Sequence, residues 1–270
     1  MNIIFLLKCI ILGIVQGITE PLPISSSGHI AIVGYLINAK ELVNKIDFSI
    51  LLNFGSLISI LIIFRKEIIE LIIDSFNFIF KKEKTCKQSF NYVIMIVIAT
   101  IPAGIAGLLL KDKIDKLLSS SPKIIGISLI VTAIFLYLIK DFKGKKHESD
   151  LTIIDSIIIG FCQAIALIPG ISRSGATITG GLFRKLDRES AFKFSFMLYI
   201  PISIATVILD IKEFSVENNK LLLAYIIATI VSAILTYIST KIFRNIVIKG
   251  KMIYFVIYCL IIGSAIILFL

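Results

Sequence analysis

GIVQGITEPLPISSSGH, residues 13–29, closes an apolar run that begins at Ile3 and breaks it with Glu20, Pro21, Pro23 and three serines before a second apolar limb, Ile30 to Ile37. The first limb, Ile3 to Ile18, rises roughly 24 Å at 1.5 Å per residue, short of the ~30 Å hydrocarbon core of a bilayer. Prolines and a polar, non-helical loop cannot face lipid, because their freed backbone groups find no partner there. The stretch reads as a re-entrant helix–loop–helix hairpin whose tip is buried in protein or lines a wet cavity. A second stretch, GFCQAIALIPGISRSGAT at residues 160–177, follows the apolar run starting at Ile153 and has the same character, with a shorter return limb to about Leu182. At a fixed offset of 147 the two match at Gly13/Gly160, Gln16/Gln163, Ile18/Ile165, Ile24/Ile171, Ser25/Ser172, Ser27/Ser174 and Gly28/Gly175. Apolar matches arise easily by chance, so the glutamine and the Ser-x-Ser-Gly matches carry the case for an internal repeat.

Working outward, six runs are long enough to cross a bilayer: about 47–64, 92–110, 123–139, 192–209, 220–240 and 252–270. Between Arg65 and Lys87 the pattern changes. Glu67, Glu70 and Asp74 share one helical face and Ile68, Ile69, Ile72, Ile73 and Phe76 fill the other, an amphipathic helix at the interface or extending the preceding span. The 270 residues are 57% hydrophobic and 17% charged, which excludes both an ordinary soluble domain and a disordered chain. Apolar runs of this length, rather than alternation, exclude a β-barrel. The fold class is therefore an all-α polytopic membrane protein, one integral domain over 1–270. Each half, about 1–140 and about 150–270, is a hairpin plus three spans. A hairpin returns to its own side and three crossings are odd, so the halves are expected to be inverted, with the hairpins entering from opposite faces. Transporters use this plan to bring broken helices together near the midplane.

The net charge of +10 fits basic loops facing anionic lipid, and with no basic stripe or soluble module, nucleic-acid binding is not expected. Loops 65–91, 140–152, 184–193 and 241–251 hold 18 Lys and Arg; the opposite side holds nine. This bias places the first set in the cytoplasm. Both termini and the mouth of the first hairpin are then extracytoplasmic. Cys9, Cys86, Cys162 and Cys259 form no CxxC pair, so neither a disulfide framework nor a zinc site is expected. Lys8, Gln16 and Glu20 do not fit a cleavable signal peptide.

Ionisable groups at membrane depth are functional candidates by default. The first hairpin offers Glu20, His29, Ser25, Ser26 and Ser27; the second offers Arg173 with Ser172, Ser174 and Thr177. Face to face, they make one site. A guanidinium grips phosphate through parallel hydrogen bonds, and helix N-termini favour anions. Glu20 can hold a divalent cation or take a proton from a nucleophile, with Ser26 and His29 as the groups that could attack phosphorus. Gln16 lies one helical turn before Glu20 and can point at the same ligand. Structural roles compete: Glu20 and Arg173 as an ion pair between repeats, the serines as helix glue, His29 as a cap or packing residue. Gln163 lacks a carboxylate partner, since Leu167 stands at the position matching Glu20, and reads as structural. Asp150 and Asp155 read as partners of a helix dipole. The division of acid–base groups and anion clamp between the repeats suits a reaction on phosphate better than pure translocation, although a transporter or flippase of a phosphate-bearing lipid shares the plan.

At these residues the chain resembles the bacitracin-resistance type undecaprenyl-diphosphate phosphatase family. Its first motif, a Glu or Gln, three further residues and a Glu, then a proline turn and a Ser-Ser-Thr/Ser-Gly-His run, is matched from Gln16 to His29; its second, Pro-Gly-x-Ser-Arg-Ser-x-x-Thr, is matched from Pro169 to Thr177. The resemblance implies a metal-dependent hydrolase of the bacterial plasma membrane that removes the terminal phosphate of undecaprenyl diphosphate. That recycles the lipid carrier of cell-wall synthesis and confers bacitracin resistance. It implies Glu20 as metal ligand or base, with Gln16 beside it, and Ser26 and His29 as nucleophile candidates. Arg173, Ser172, Ser174 and Thr177 would bind the diphosphate, with Ser25 and Ser27 lining the same site, and the lipid tail would lie between helices. The expected cofactor is a divalent cation, Mg2+ or Ca2+; a homodimer is left open. Two departures stand out. Gln16 takes the amide option at the first motif position, and Ser49 occupies a position where relatives often carry an acid, with Asp47 out of register by two.

Overall fold

The computed structural model describes residues 3–210, 214 and 219–270, and only the helical backbone at 111–120, 219 and 220. The chain order is α1 (Ile3–Thr19), α2 (Ser26–Leu36), α3 (Lys40–Val43), α4 (Ile46–Ile63), α5 (Arg65–Phe80), α6 (Lys87–Ser120), α7 (Pro122–Ile139), α8 (Ile153–Ile165), α9 (Arg173–Phe183), α10 (Arg188–Asp210), α11 (Asn219–Ile248) and α12 (Ile253–Phe269). Among the described residues there is no strand beyond one isolated bridge, Lys146 to Leu186. The protein is a polytopic, all-helical membrane protein. Five helices are long and apolar enough to cross a bilayer: Ile46–Ile63, Lys84–Leu110, Pro122–Ile139, Arg188–Asp210 and Leu221–Ile248. The sixth expected run is the 17-residue α12, which rises about 26 Å.

Both predicted breaks are present. α1 stops at Thr19 because Pro21 and Pro23 lack a donor N–H and push the residues before them out of the helical region. α8 stops at Ile165, ahead of Pro169 and of Gly170, whose φ of +89° a side chain would oppose. Each pair of limbs packs together, α1 on α2 and α8 on α9. α1 also lies along α11, and α8 along α6. These approaches are close: a Cβ at Gly13 would sit 2.5 Å from the Ala228 carbonyl oxygen, and one at Gly160 2.5 Å from that of Ala99. α7 packs on α12, and α4 is joined to α11 by hydroxyls, Ser56 lying 3.2 Å from Ser232 and 3.0 Å from Thr236.

Three of the four basic loops, 140–152, 184–193 and 241–251, interlock at one end of the bundle. Lys146 and Arg184 both pair with the fully buried Asp155, at 2.9 and 2.6 Å. Lys193 pairs with Glu148 at 3.4 Å, Arg244 with Glu189, and Arg188 donates to the Lys140 carbonyl. Asp155 is thus more than the expected dipole partner: it caps α8 with Thr152 and also clamps the hairpin mouth shut. Asp150 accepts the His147 backbone N–H in a short 3-10 turn. Of the cations counted at the other end, Lys111, Lys113, Lys116, Lys212 and Lys220 lie outside the described residues or side chains. The amphipathic α5 is present: Ser89 donates to the half-buried Asp74 at 2.6 Å and Ile68 and Leu71 pack on the core, while Glu70, Ile69, Ile72, Ile73 and Phe76 are exposed.

Candidate functional site

The two hairpin tips touch. The Leu22 carbonyl in the first tip accepts the hydroxyls of Ser174 at 3.1 Å and Ser172 at 3.5 Å from the second. Each return helix starts at this contact, because the first serine of each Ser-x-Ser-Gly run caps it. Ser25 accepts the Gly28 N–H at 3.4 Å to start α2, and Ser172 accepts the Gly175 N–H at 3.1 Å to start α9. Two helix N-termini, the positive ends of their dipoles, therefore meet at one place.

Glu20 bridges the tips. One carboxylate oxygen pairs with Arg173 Nη2 at 2.5 Å; the other accepts the Ser26 hydroxyl and, at 3.1 Å, the Gln16 amide. Gln16 Nε2 also donates to Asn53 Oδ1 at 2.8 Å. The Arg173 guanidinium lies over the Tyr199 ring, 3.9 Å from its centre, so the cation has a carboxylate at one edge and an aromatic face beneath it. These groups surround a cavity of about 210 Å³. Ser25, Ser26, Ser27, Ser172 and Ser174 line it with Glu20 and Arg173; Asn53, Gln163, Ser203 and Thr206 add polar surface, and Ala166, Leu167 and Ile202 an apolar flank.

Gln16, His29 and Thr177 do not line the cavity. Gln16 sits behind Glu20, buried. His29 Nδ1 is 2.8 Å from the Ser25 carbonyl and Nε2 is 2.7 Å from the Tyr258 hydroxyl. A carbonyl only accepts, so Nδ1 carries the proton, and in the neutral ring Nε2 accepts from Tyr258. The imidazole stacks on that tyrosine, directed at α12. The Thr177 hydroxyl is 2.6 Å from that of Ser195 and donates to the Arg173 carbonyl at 2.9 Å, tying α9 to α10. Ser49 donates to the Val43 carbonyl at 3.4 Å, and it is Asn53, one turn further along α4, that reaches Gln16. Asn53 had a signal, a lone amide inside an apolar span. Tyr199, Ser195 and Tyr258 had none, since an aromatic or hydroxyl residue in a span is ordinary. Gln163, read from sequence as structural, has neither amide atom bonded to the protein.

Hard divalent cations take oxygen donors, and Mg2+ is commonly held by one or two carboxylates with substrate phosphates completing the shell. Among the described residues Glu20 is the one carboxylate lining the cavity, with the amide oxygen of Asn53 and the hydroxyl of Ser26 as further oxygen donors there and Gln16 donating its amide N–H to both Glu20 and Asn53. That donor set fits a cation that shares the substrate's phosphates.

A family model described as "Bacitracin resistance protein BacA" matches residues 9–265. Undecaprenyl-diphosphatase 2 of Bacillus thuringiensis (strain Al Hakam) is 44% identical over 268 residues, covering 98% of each chain. Undecaprenyl-diphosphatase 1 of Bacillus licheniformis is 39% identical over the whole of both chains, and the undecaprenyl-diphosphatase of Oceanobacillus iheyensis 42% identical over 96% of this one. With both hairpin motifs inside the matched region and the match running nearly end to end, the chain belongs to the BacA bacitracin-resistance family.

Proposed function

We infer that the chain hydrolyses undecaprenyl diphosphate to undecaprenyl phosphate and inorganic phosphate, recycling the carrier of cell-wall synthesis, in the cavity between the hairpin tips. The observation that carries the reading is the bridge from Ser26 through Glu20 to Arg173, which sets a hydroxyl, a base and an anion clamp side by side. Full-length similarity to undecaprenyl-diphosphatases supports the same substrate.

The free guanidinium N–H groups of Arg173, the hydroxyls of Ser172 and Ser174 and the N-termini of α2 and α9 hold the diphosphate. Ser26 Oγ attacks the terminal phosphorus while Glu20 takes its proton. The bond from that phosphorus to the bridging oxygen breaks, and the lipid phosphate leaves along the flank of Ala166, Leu167 and Ile202. Water then attacks the phosphoserine, inorganic phosphate departs, and Glu20 returns the proton to Oγ. His29 acts from beneath: its ring and backbone N–H groups both bond the carbonyl of Ser25, which holds a φ of +68°, strained for a non-glycine residue. This fixes the turn that presents Ser26. Thr177 supports Arg173 through its backbone. Glu20 and the amide oxygen of Asn53, with Gln16 beside them, would hold a divalent cation, Mg2+ or Ca2+, which would supply neutralisation of the diphosphate charge.

The architecture we propose is a single domain of two inverted halves, about 1–140 and 150–270, each a re-entrant hairpin and three spans. Its support is the exchange of partners, α1 lying on α11 of the other half and α8 on α6, with α7 on α12. The site opens at the end opposite the basic loops, the extracytoplasmic side of the plasma membrane. Asn53 and Thr206 also line a neighbouring cavity of about 120 Å³ with Asn44 and Asp210. Phe64, Phe192, Phe196 and Phe243 pack as an aromatic cluster, and Phe196 borders a small cavity shared with Glu20, Arg173 and Tyr199.

The deciding experiment is phosphate release from undecaprenyl diphosphate by purified protein. Turnover that is lost on chelation, restored by Mg2+ or Ca2+ and abolished in Ser26→Ala is expected. No release at all would leave a carrier rather than a hydrolase.

A further inference from the structure

We propose that Gln163 is a substrate-binding residue, its amide hydrogen-bonding the phosphate that stays on the lipid. The proposal rests on the phosphatase reading and extends it to a group on α8, in the second hairpin. Gln163 is 1% exposed, and neither its amide nitrogen nor its amide oxygen has a hydrogen-bond partner in the protein. Its counterpart in the first hairpin, Gln16, is equally buried and bonded to both Glu20 and Asn53. A buried amide that holds structure together does so through its bonds; one with none is a cost to folding. Gln163 lines the same cavity as Arg173 and Ser26, so a diphosphate seated there is the partner within reach of its unbonded amide.

Its position selects which phosphate. Ala166 and Leu167, three and four residues on, line the cavity's apolar flank just past the last turn of α8. Ser26, Glu20 and Arg173 gather around the terminal phosphorus, whereas Gln163 stands where the polar chamber passes into the apolar flank. That is where the phosphate joined to the prenyl chain must lie. An uncharged amide there donates without competing with Arg173 and accepts without repelling a second anion as a carboxylate would.

The test is steady-state kinetics of Gln163→Leu and Gln163→Glu in detergent with undecaprenyl diphosphate, together with thermal unfolding and inhibition by farnesyl phosphate and by inorganic phosphate. Gln163→Leu is expected to unfold at the wild-type temperature or higher, because an unpartnered amide gives way to an apolar side chain. Its kcat/KM should fall about tenfold, the scale of one ordinary hydrogen bond. Inhibition by farnesyl phosphate should weaken and inhibition by inorganic phosphate should not. Gln163→Glu should be worse than Gln163→Leu, since it sets an anion against the diphosphate. Wild-type kinetic constants in Gln163→Leu would overturn the proposal while leaving the phosphatase standing. So would a lowered unfolding temperature, which marks a structural residue, or equal weakening of both inhibitors. A wild-type protein that releases no phosphate would instead refute the activity itself.

Discussion

Arg173 meets Glu20 through Nη2 and Tyr199 with its planar face, which leaves its other N–H groups to fork onto a phosphate. Arg173→Lys keeps the charge and loses the fork, so kcat/KM should fall by about 100-fold or more in phosphate-release assays. Gln16→Glu places a second carboxylate 3.1 Å from Glu20. The two anions repel unless a cation lies between them, so this variant should bind Mg2+ or Ca2+ more tightly and depend on it more steeply, as metal titration of activity would read. Tyr258→Phe removes the hydroxyl bonded to His29 Nε2 while keeping the stacked ring. Turnover should fall several-fold with KM nearly unchanged, because Ser26 is aimed less well and the diphosphate contacts are intact. Glu20, Arg173 and the serine runs were legible as candidates because charge and clustered hydroxyls are abnormal at membrane depth. The direction of His29 was not. It depends on a tyrosine 229 residues away, and nothing local distinguishes an imidazole aimed at substrate from one aimed at a neighbouring helix.

At the scale of elements, the broken helices were legible and their partners were not. Pro21, Pro23, Pro169 and Gly170 end α1 and α8 by their own stereochemistry, whatever surrounds them. Which helix each limb lies against is a matter of fit, seen in the 2.5 Å approaches of Gly13 and Gly160. Gly160→Val should therefore force α8 from α6 and cost about 1–3 kcal/mol, read as a lower unfolding temperature. The mouth of the second hairpin has an electrostatic clamp. Asp155→Asn leaves Lys146 and Arg184 facing a neutral amide in the most buried part of that mouth. Removing one partner of a buried ion pair is destabilising by about 3 kcal/mol, and thermal unfolding should register most of it with little change in KM, since the clamp lies at the far end of the hairpin from the cavity. α5 shows a limit of pattern reading: the two faces were evident, but only packing decided that Asp74 is bonded to Ser89 while most of the apolar face is left exposed.

For the whole molecule, side matters more than shape. If the basic loops are cytoplasmic, Lys143→Cys in a cysteine-free background should react with an impermeant maleimide only after the cells are opened, and Lys40→Cys in intact cells. The reverse pattern would turn the site's mouth towards the cytoplasm.

By itself the sequence determined the class, the helix breaks and the chemistry on offer, because hydrophobic length, proline geometry and the cost of burying charge act locally and need no partner. Tertiary structure alone decided which of those groups face one another. Glu20 reaches Arg173 across 153 residues, His29 is drawn off to Tyr258, and Gln163 is left bare beside the cavity. Such outcomes depend on how two hairpin tips meet, a contact set by the packing of every other helix and encoded in no single stretch of the chain.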